Sequence, residues 1–141
     1  MGLRWTVALL AALAVVCGCG GSPPPDVATS ERQIRQTAID YNLLAVAGKG
    51  EQACALLTEE KRNAWMDSDL MRATRDTLPP EVHDCASYWS WLGPRMGDGG
   101  RRLMLDTRVS AVSIAGKHAT ATYATGGTIP LTWSDGRWRL S

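Results

Sequence analysis

The C-terminal third of the chain follows the two-residue period of β-strands. Residues 103–114 and 118–125 are rich in valine, threonine and alanine, and a glycine–lysine pair at 116–117 separates them. Two such runs around a short glycine-containing pair predict a β-hairpin. Residues 129–133 and 138–140 alternate in the same way around a further turn. The whole pattern predicts an antiparallel meander.

Pro130 interrupts the third of these runs, just after a predicted turn at the glycine pair 126–127. Proline has no backbone N–H and cannot donate to a sheet ladder. We therefore expect an edge strand or a β-bulge at this position.

The preceding half of the chain has the period of helices instead. Ser30 and Gln33 have the spacing of a capping box, which predicts a helix that begins at Ser30. Ile34, Ala38 and Tyr41 then recur every three or four residues and form one apolar stripe. Further helices are predicted over 51–57, from Thr58, over 68–77 and from Pro80. The glycine-rich residues 93–100 predict a mobile loop, and helices followed by a meander predict an α+β domain.

The N-terminal segment is apolar but short. Residues 5–16 carry no charge and follow Arg4. A helix of this length would span about 18 Å, well below the roughly 30 Å of a bilayer core. A charged start followed by a short apolar run is typical of a secretory signal.

The end of this segment, Val16-Cys17-Gly18-Cys19, resembles the lipobox of bacterial lipoproteins. In that motif a small residue precedes a cysteine that is lipidated and becomes the new N-terminus. Cys17 and Cys19 both compete for this role. Gly18 directly before Cys19 suits cleavage better than the β-branched Val16 before Cys17. We therefore assign lipidation to Cys19.

This assignment divides the chain into three parts. Residues 1–18 are the predicted lipoprotein signal peptide, and residues 19–29 are the lipidated cysteine and a tether of Gly, Ser and Pro. Residues 30–141 form the predicted domain. The lipid on Cys19 would make the membrane a partner, because attached acyl chains anchor a protein to a bilayer. We expect the domain on the outer face of the bacterial cytoplasmic membrane.

Composition excludes some functions. Lys and Arg number 15 and Asp and Glu number 14. A chain of 141 residues without a basic surplus is one domain with no nucleic-acid footprint. No phosphate-loop or nucleophile-elbow motif is present. We expect no metal site and no cofactor.

Two cysteines remain in the predicted mature domain, Cys54 and Cys85. An even pair in an exported domain predicts a disulfide. Cys85 shares a helical stripe with Trp89, so it faces inward as a disulfide partner should. A zinc or redox site is the alternative, although His83 is the nearby histidine and no Cys-x-x-Cys motif occurs.

The domain also resembles a known family. A helix that leads into residues 48–58 (GKGEQACALLT), followed by strands that end in 135–140 (DGRWRL), is similar to exported actinobacterial lipoproteins. The resemblance covers residues 30–141. It implies the nuclear-transport-factor-2-like cone, the fold shared with ketosteroid isomerase. In that fold a curved antiparallel sheet wraps around helices and leaves a conical pocket open at one end.

Three residues are candidates for binding a ligand or partner: Tyr41, Trp91 and Asp106. Tyr41 lies on the apolar stripe of the first helix, and Asp106 lies near a predicted strand start. Trp91 points away from the stripe of Trp89, beside the glycine-rich loop, which predicts a contact at the pocket mouth. Phenylalanine is absent, so four tryptophans are expected to fill the core instead: Trp65, Trp89, Trp133 and Trp138.

The residues of a type suited to acid–base chemistry are Tyr41, Asp106, His83 and His118. No pair among them has a spacing that predicts contact, and both histidines are expected on the surface. The sequence therefore assigns no catalytic residue. We expect the cone to bind a small apolar ligand or to dock on an envelope protein. The alternatives are an isomerase- or hydrolase-type enzyme with a carboxylate in the pocket, and an accessory domain of cell-wall enzymes. Similar domains occur fused to penicillin-binding proteins, which suggests the latter.

Overall fold

The computed structural model describes residues 21–141. The predicted signal peptide and the predicted lipidation site Cys19 lie outside the described residues. Within them the α+β class is confirmed, because helices come first and an open antiparallel sheet follows. The helices are α1 (Val27–Val46), α2 (Gly50–Cys54), α3 (Glu59–Asn63), α4 (Asp69–Thr74), α5 (Cys85–Arg95) and α6 (Asp98–Leu105), with 3₁₀ turns at Trp65–Asp67 and Arg75–Thr77. The strands are β1 (Val109–Ala115), β2 (His118–Tyr123), β3 (Thr128–Ser134) and β4 (Arg137–Leu140).

Helix α1 begins three residues earlier than the sequence predicts. Asp26 caps it, and its carboxylate accepts a hydrogen bond of 3.0 Å from the backbone N–H of Thr29. Ser30, the predicted cap, lies inside the helix and is buried, and its hydroxyl donates to the carbonyl of Pro25. The predicted start was wrong because a carboxylate just upstream satisfies the free N–H groups of the first turn.

Helix α5 begins at Cys85, later than the predicted start at Pro80. Asp84 caps it through a reciprocal arrangement: its carboxylate accepts from the backbone N–H of Ser87 at 2.7 Å, and the Ser87 hydroxyl accepts from the Asp84 N–H at 3.0 Å. Val82 precedes the helix but is still buried.

The glycine-rich segment 93–100 is not a loop, so that prediction was wrong. Helix α5 continues to Arg95, and α6 begins at Asp98. The glycine at 93 serves close packing instead of flexibility. A Cβ atom there would lie 2.4 Å from the carbonyl oxygen of Ala45 on α1, a distance that excludes any side chain.

The first predicted strand also starts too early. Residues 103–105 form the end of α6, and β1 begins only at Val109. Three consecutive apolar residues do not distinguish a strand from a helix. Here the backbone N–H of Arg101 already donates to the Gly97 carbonyl at 3.0 Å, and its guanidinium donates to the Met96 carbonyl at 3.0 Å. These bonds hold α6 as a helix against the end of α5.

The sheet has the order β1-β2-β3-β4, which confirms the predicted meander. Pro130 does not lie on an edge strand, since β3 pairs on both sides. The Pro130 carbonyl accepts from Ser141 at 3.0 Å, so its ring nitrogen also points toward Ser141, beyond the end of β4. The missing donor therefore removes no bond from the paired part of the ladder.

Two hydrophobic clusters fill the structure, and α1 contributes to both. Ile34 packs with Trp133 and Trp138 against one face of the sheet. Tyr41 packs farther along α1 with Trp89, among the helices. The core role predicted for Trp89, Trp133 and Trp138 is confirmed, since each is buried.

The segment between α2 and α3 is joined to the last strand. The Thr58 N–H donates to the Leu140 carbonyl at 2.8 Å, and the Leu140 N–H donates to the Leu56 carbonyl at 2.9 Å. These two bonds form a short parallel bridge next to β4. They fix where the chain enters α3, and therefore where the helices that follow lie against α5.

Candidate functional site

A cavity of about 510 Å³ opens between α5 and the helical segment that runs from α3 to α4. Helix α5 supplies one wall, and α3, the 3₁₀ turn at Trp65–Asp67 and the start of α4 supply the other. The lining is mainly aromatic and aliphatic, with charged groups from α3 and the 3₁₀ turn. The lining residues are Lys61, Ala64, Trp65, Asp67, Ser68, Met71, Tyr88 and Trp89.

Three aromatic rings dominate the walls of this cavity. The ring centroid of Trp65 lies 6.0 Å from that of Tyr88 and 5.8 Å from that of Trp89. Tyr88 and Trp89 themselves meet edge to face at 5.1 Å. Tyr88 and Trp89 are buried, whereas Trp65 is only half-buried, so the predicted core role of Trp65 applies in part. We call this space the aromatic cavity. The aromatic cavity residues are its three aromatic side chains, Trp65, Tyr88 and Trp89, together with Met71.

Two side-chain caps hold the outer wall in place. The Thr58 hydroxyl accepts from the Lys61 N–H at 3.2 Å and so starts α3. The Ser68 hydroxyl accepts from the Met71 N–H at 3.4 Å and starts α4. The caps set the directions of two short helices, because they satisfy N–H groups that have no partner within the helix. Met71 is buried at the inner side of this wall.

The predicted cysteine pair is brought together at the base of α5. Cys54 and Cys85 lie at disulfide distance, with Cα atoms 6.0 Å apart. Cys54 ends α2 and Cys85 begins α5, so the disulfide ties these two helices. A glycine lies at the same contact, because a Cβ on Gly50 would meet the Ala86 carbonyl oxygen at 1.9 Å. The inner wall of the cavity is therefore tied to the helical core.

Tyr41, the first predicted site residue, lies behind the cavity and does not line it. The indole N–H of Trp89 donates a hydrogen bond of 3.1 Å to the Tyr41 hydroxyl. Burial raises the pKa of Tyr41 above its ordinary value of 10.0, with the Trp89 hydrogen bond opposing the shift. Tyr41 thus positions an aromatic cavity residue from the protein side.

The other two predicted residues lie elsewhere. Trp91 is half-buried, not exposed beside a loop, and the Arg95 guanidinium lies 5.6 Å from its ring centroid. Asp106 is exposed and follows the last turn of α6, where its N–H donates to the Arg102 carbonyl. Neither is among the residues that line the aromatic cavity. The structure therefore does not bring the three predicted candidates together.

Both histidines are exposed, as predicted from the sequence. The Nδ1 atom of His83 lies 2.9 Å from the Glu81 carbonyl, and Nε2 lies 3.9 Å from an Asp84 carboxylate oxygen. His118 begins β2 at the hairpin end. Within residues 21–141, no group of three or more metal-ligating side chains is placed to hold an ion.

The charged residues of the cavity differ in their pairing. Asp67 is paired with Arg75 at 3.6 Å, and Arg75 also donates to the Met66 carbonyl at 2.9 Å. Lys61 is exposed and forms no ion pair with any carboxylate in the described part of the chain. One uncompensated positive charge therefore lies at the cavity.

The sequence pattern does not predict this cavity or the positions of Trp65, Met71 and Tyr88 in its lining. The signal available was an aromatic residue on each of two separate helical segments. Their meeting depends on how residues 59–77 lie against α5, which the local pattern does not determine.

Comparisons with protein-family models, curated proteins and solved structures found no match for this chain. The resemblance to exported actinobacterial lipoproteins therefore stays a prediction. None of the helices in residues 21–141 combines the length and hydropathy needed to cross a membrane.

Proposed function

We propose that this chain is an exported, lipid-anchored domain that binds a small apolar ligand. The observation that carries the proposal is the cavity of about 510 Å³ walled by the aromatic cavity residues. Pockets of this size lined mainly by aromatic and aliphatic groups are typical of small-molecule sites. Removing aromatic surface from water is favourable in proportion to the area covered. An apolar ligand that fills this cavity would therefore gain binding free energy.

The lining favours binding over catalysis. Asp67 is its one carboxylate, and that side chain is 77% exposed and paired with Arg75. A general base for an isomerase or hydrolase is usually placed in a desolvated position, where its pKa shifts toward neutrality. Asp106 does not line the cavity. The enzymatic alternative therefore has less support than ligand binding.

The nuclear-transport-factor-2-like cone remains part of the proposal for the fold. An N-terminal helix packed across an antiparallel meander supports it. Between α1 and the sheet, however, Ile34 packs against Trp138. The ligand site we propose is the cavity between helices, not the space inside the sheet.

Native mass spectrometry tests the binding proposal. The full chain is extracted from its cell envelope, and a bound ligand of defined mass is expected. Trp65→Ala should lose this ligand, because it removes a wall of the cavity. Trp91→Ala is the matched control and should retain it. Ligand-free protein from repeated extracts, or equal loss in both variants, would contradict the proposal.

Metabolic labelling with a fatty acid tests the anchor. Cys19→Ala should abolish incorporation of label. Cys17→Ala should remain labelled, since Cys17 leaves with the signal peptide in our proposal. Label that persists in Cys19→Ala and disappears in Cys17→Ala would move the anchor to Cys17.

An exposed apolar hollow favours a second candidate function, docking on an envelope protein. Leu43 on α1 is 49% exposed and Leu105 on α6 is 47% exposed, and both line a shallow hollow with Ile39 and Arg108. Arg108 forms no ion pair in the described residues. The partner surface would be apolar with a carboxylate opposite Arg108.

Photo-crosslinking in cells tests this second candidate. A crosslinking residue at position 105 should give one discrete protein adduct, and Arg108→Glu should weaken it. The control carries the crosslinking residue in place of Val27, which is exposed and does not line the hollow. Equal adducts from both positions, or no effect of Arg108→Glu, would contradict a specific docking surface.

A further inference from the structure

The charges at the aromatic cavity define its ligand further. The cavity is lined by two charged side chains, Lys61 and Asp67. Asp67 is neutralised by Arg75 at 3.6 Å, and this pair is held by the bond from Arg75 to the Met66 carbonyl. Lys61 has no such partner among the described residues. Lys61 is therefore the charged residue of the cavity lining that has no ion-pair partner among residues 21–141.

Lys61 is suited to contact both parts of an amphiphile. A lysine can lay its methylene stem along apolar surface while its ammonium stays in water. Lys61 lines the cavity and is exposed, which fits this arrangement. The stem would cover an apolar chain, and the ammonium would meet a head group at the opening.

We infer that the ligand is an anionic amphiphile, with its apolar chain against Trp65, Tyr88, Trp89 and Met71 and its carboxylate beside the Lys61 ammonium. This inference rests on the proposed binding function. A cationic head group would be repelled by Lys61, and the carboxylate of Asp67 is already paired. A neutral head group would gain no charge attraction from Lys61.

The neighbouring carboxylate of Glu60 does not pair with Lys61. Glu60 lines an adjacent cavity that shares Lys61 and Ala64 with the aromatic one. Among the ion pairs of residues 21–141, none joins Glu60 to Lys61. The ammonium is therefore free to turn toward a ligand carboxylate.

Three probes with the same chain and different head groups test the inference: decanoate, decanol and decyltrimethylammonium. The full mature chain, residues 19–141 with Cys19→Ser, is exported behind a cleavable signal peptide that carries no lipobox, so it is released without lipid and purified without detergent. Affinities are measured by calorimetry below the concentrations at which the probes form micelles. Because Lys61 is exposed, decanoate should bind about three- to fivefold more tightly than decanol at low salt. Added salt should reduce this preference.

Substitutions at Lys61 make the test specific. Lys61→Met should equalise decanoate and decanol, and Lys61→Arg should restore the preference. Lys117→Met is the matched control, because Lys117 lies in the exposed β1–β2 turn, and it should behave as the wild type.

The outcomes distinguish the anionic ligand from the proposed function, the binding of an apolar ligand. Equal binding of decanoate and decanol by the wild type, or tightest binding of the ammonium probe, would overturn the anionic ligand while leaving an apolar site. Failure of all three probes to bind would overturn the proposed function itself. A decanoate preference unchanged in Lys61→Met would overturn the role of Lys61.

Discussion

The indole N–H of Trp89 on α5 donates a hydrogen bond of 3.1 Å to the hydroxyl of Tyr41 on α1. The two rings also meet edge to face, with centroids 6.0 Å apart and planes at 90°. One face of Trp89 lines the aromatic cavity while its N–H contacts the core. This contact links the packing of α1 to the shape of the proposed ligand site.

Tyr41→Phe is expected to destabilise the fold. It removes the acceptor and leaves the buried Trp89 N–H without a partner, which costs about 1–3 kcal/mol. The free energy of unfolding from urea titration gives the measurement. Tyr88→Phe is the control, because the Tyr88 hydroxyl forms no hydrogen bond with any side chain or backbone group of residues 21–141. Unchanged stability of Tyr41→Phe would show that the Trp89 bond does not support the fold.

The buried hydroxyl of Tyr41 also predicts alkaline sensitivity. Burial raises its pKa in the folded state above the ordinary value of 10.0. The neutral hydroxyl therefore contributes its full stabilisation below pH 10, and this is lost as the pH rises from there toward the folded-state pKa. The stability of the wild type should fall more steeply above pH 10 than that of Tyr41→Phe. If stability fell equally with pH in the two proteins, the prediction would be wrong.

The cap of α5 predicts that the stability of the fold falls in acid, whereas the Tyr41 hydroxyl predicts that it falls in alkali. Hydrogen bonds from the Ser87 side chain and backbone N–H hold the pKa of Asp84 below its ordinary value of 3.8. Its stabilisation is present above that pH and is lost as the pH falls toward the lower folded-state pKa.

Asp84→Ala should therefore cost about 1 kcal/mol at neutral pH and show a shallower loss of stability in acid. Thermal unfolding across the acid range is the measurement. Asp106→Ala is the control, because Asp106 is exposed and closes α6 through its backbone N–H, which the substitution keeps, and not through its carboxylate. Equal acid profiles for wild type and Asp84→Ala would refute the cap.

The disulfide should contribute strongly to stability. Cys54 and Cys85 are 31 residues apart, and closing a loop of that length is expected to contribute about 3–4 kcal/mol. The double variant Cys54→Ala/Cys85→Ala should lose this amount in urea unfolding and no longer respond to reductant. Reduction of the wild type should give a similar loss. A wild type indifferent to reductant would argue against the bond.

The strands were the most predictable part of the fold. Leu131 and Trp133 alternate toward one face, as do Trp138 and Leu140, and all four are buried. Such alternation determines a half-buried strand locally. The helix starts were less predictable, because Asp26 competes with Ser30 as a cap within a few residues.

The segment at 93–100 and the cavity depend on contacts between distant parts of the chain. Glycine is required at position 93 of α5 because the backbone of Ala45 leaves no room for a side chain, and no local pattern carries that information. In the same way, Trp65 and Tyr88 meet only because the short helices after Thr58 are anchored beside β4. Trp91 and Asp106 are candidates because of their neighbours in sequence. Neither of them lines the aromatic cavity.

The most direct test of apolar ligand binding is calorimetric titration of the unlipidated full chain with decanol, in wild type, Ala64→Trp and Ala73→Trp. Ala64 lines the cavity and is exposed, so an indole there would fill it; Ala73 is exposed on α4 and does not line it. We predict saturable binding in the wild type and in Ala73→Trp, and loss of binding in Ala64→Trp. Absence of binding to the wild type, or unchanged binding in Ala64→Trp, would contradict the aromatic cavity as a ligand site.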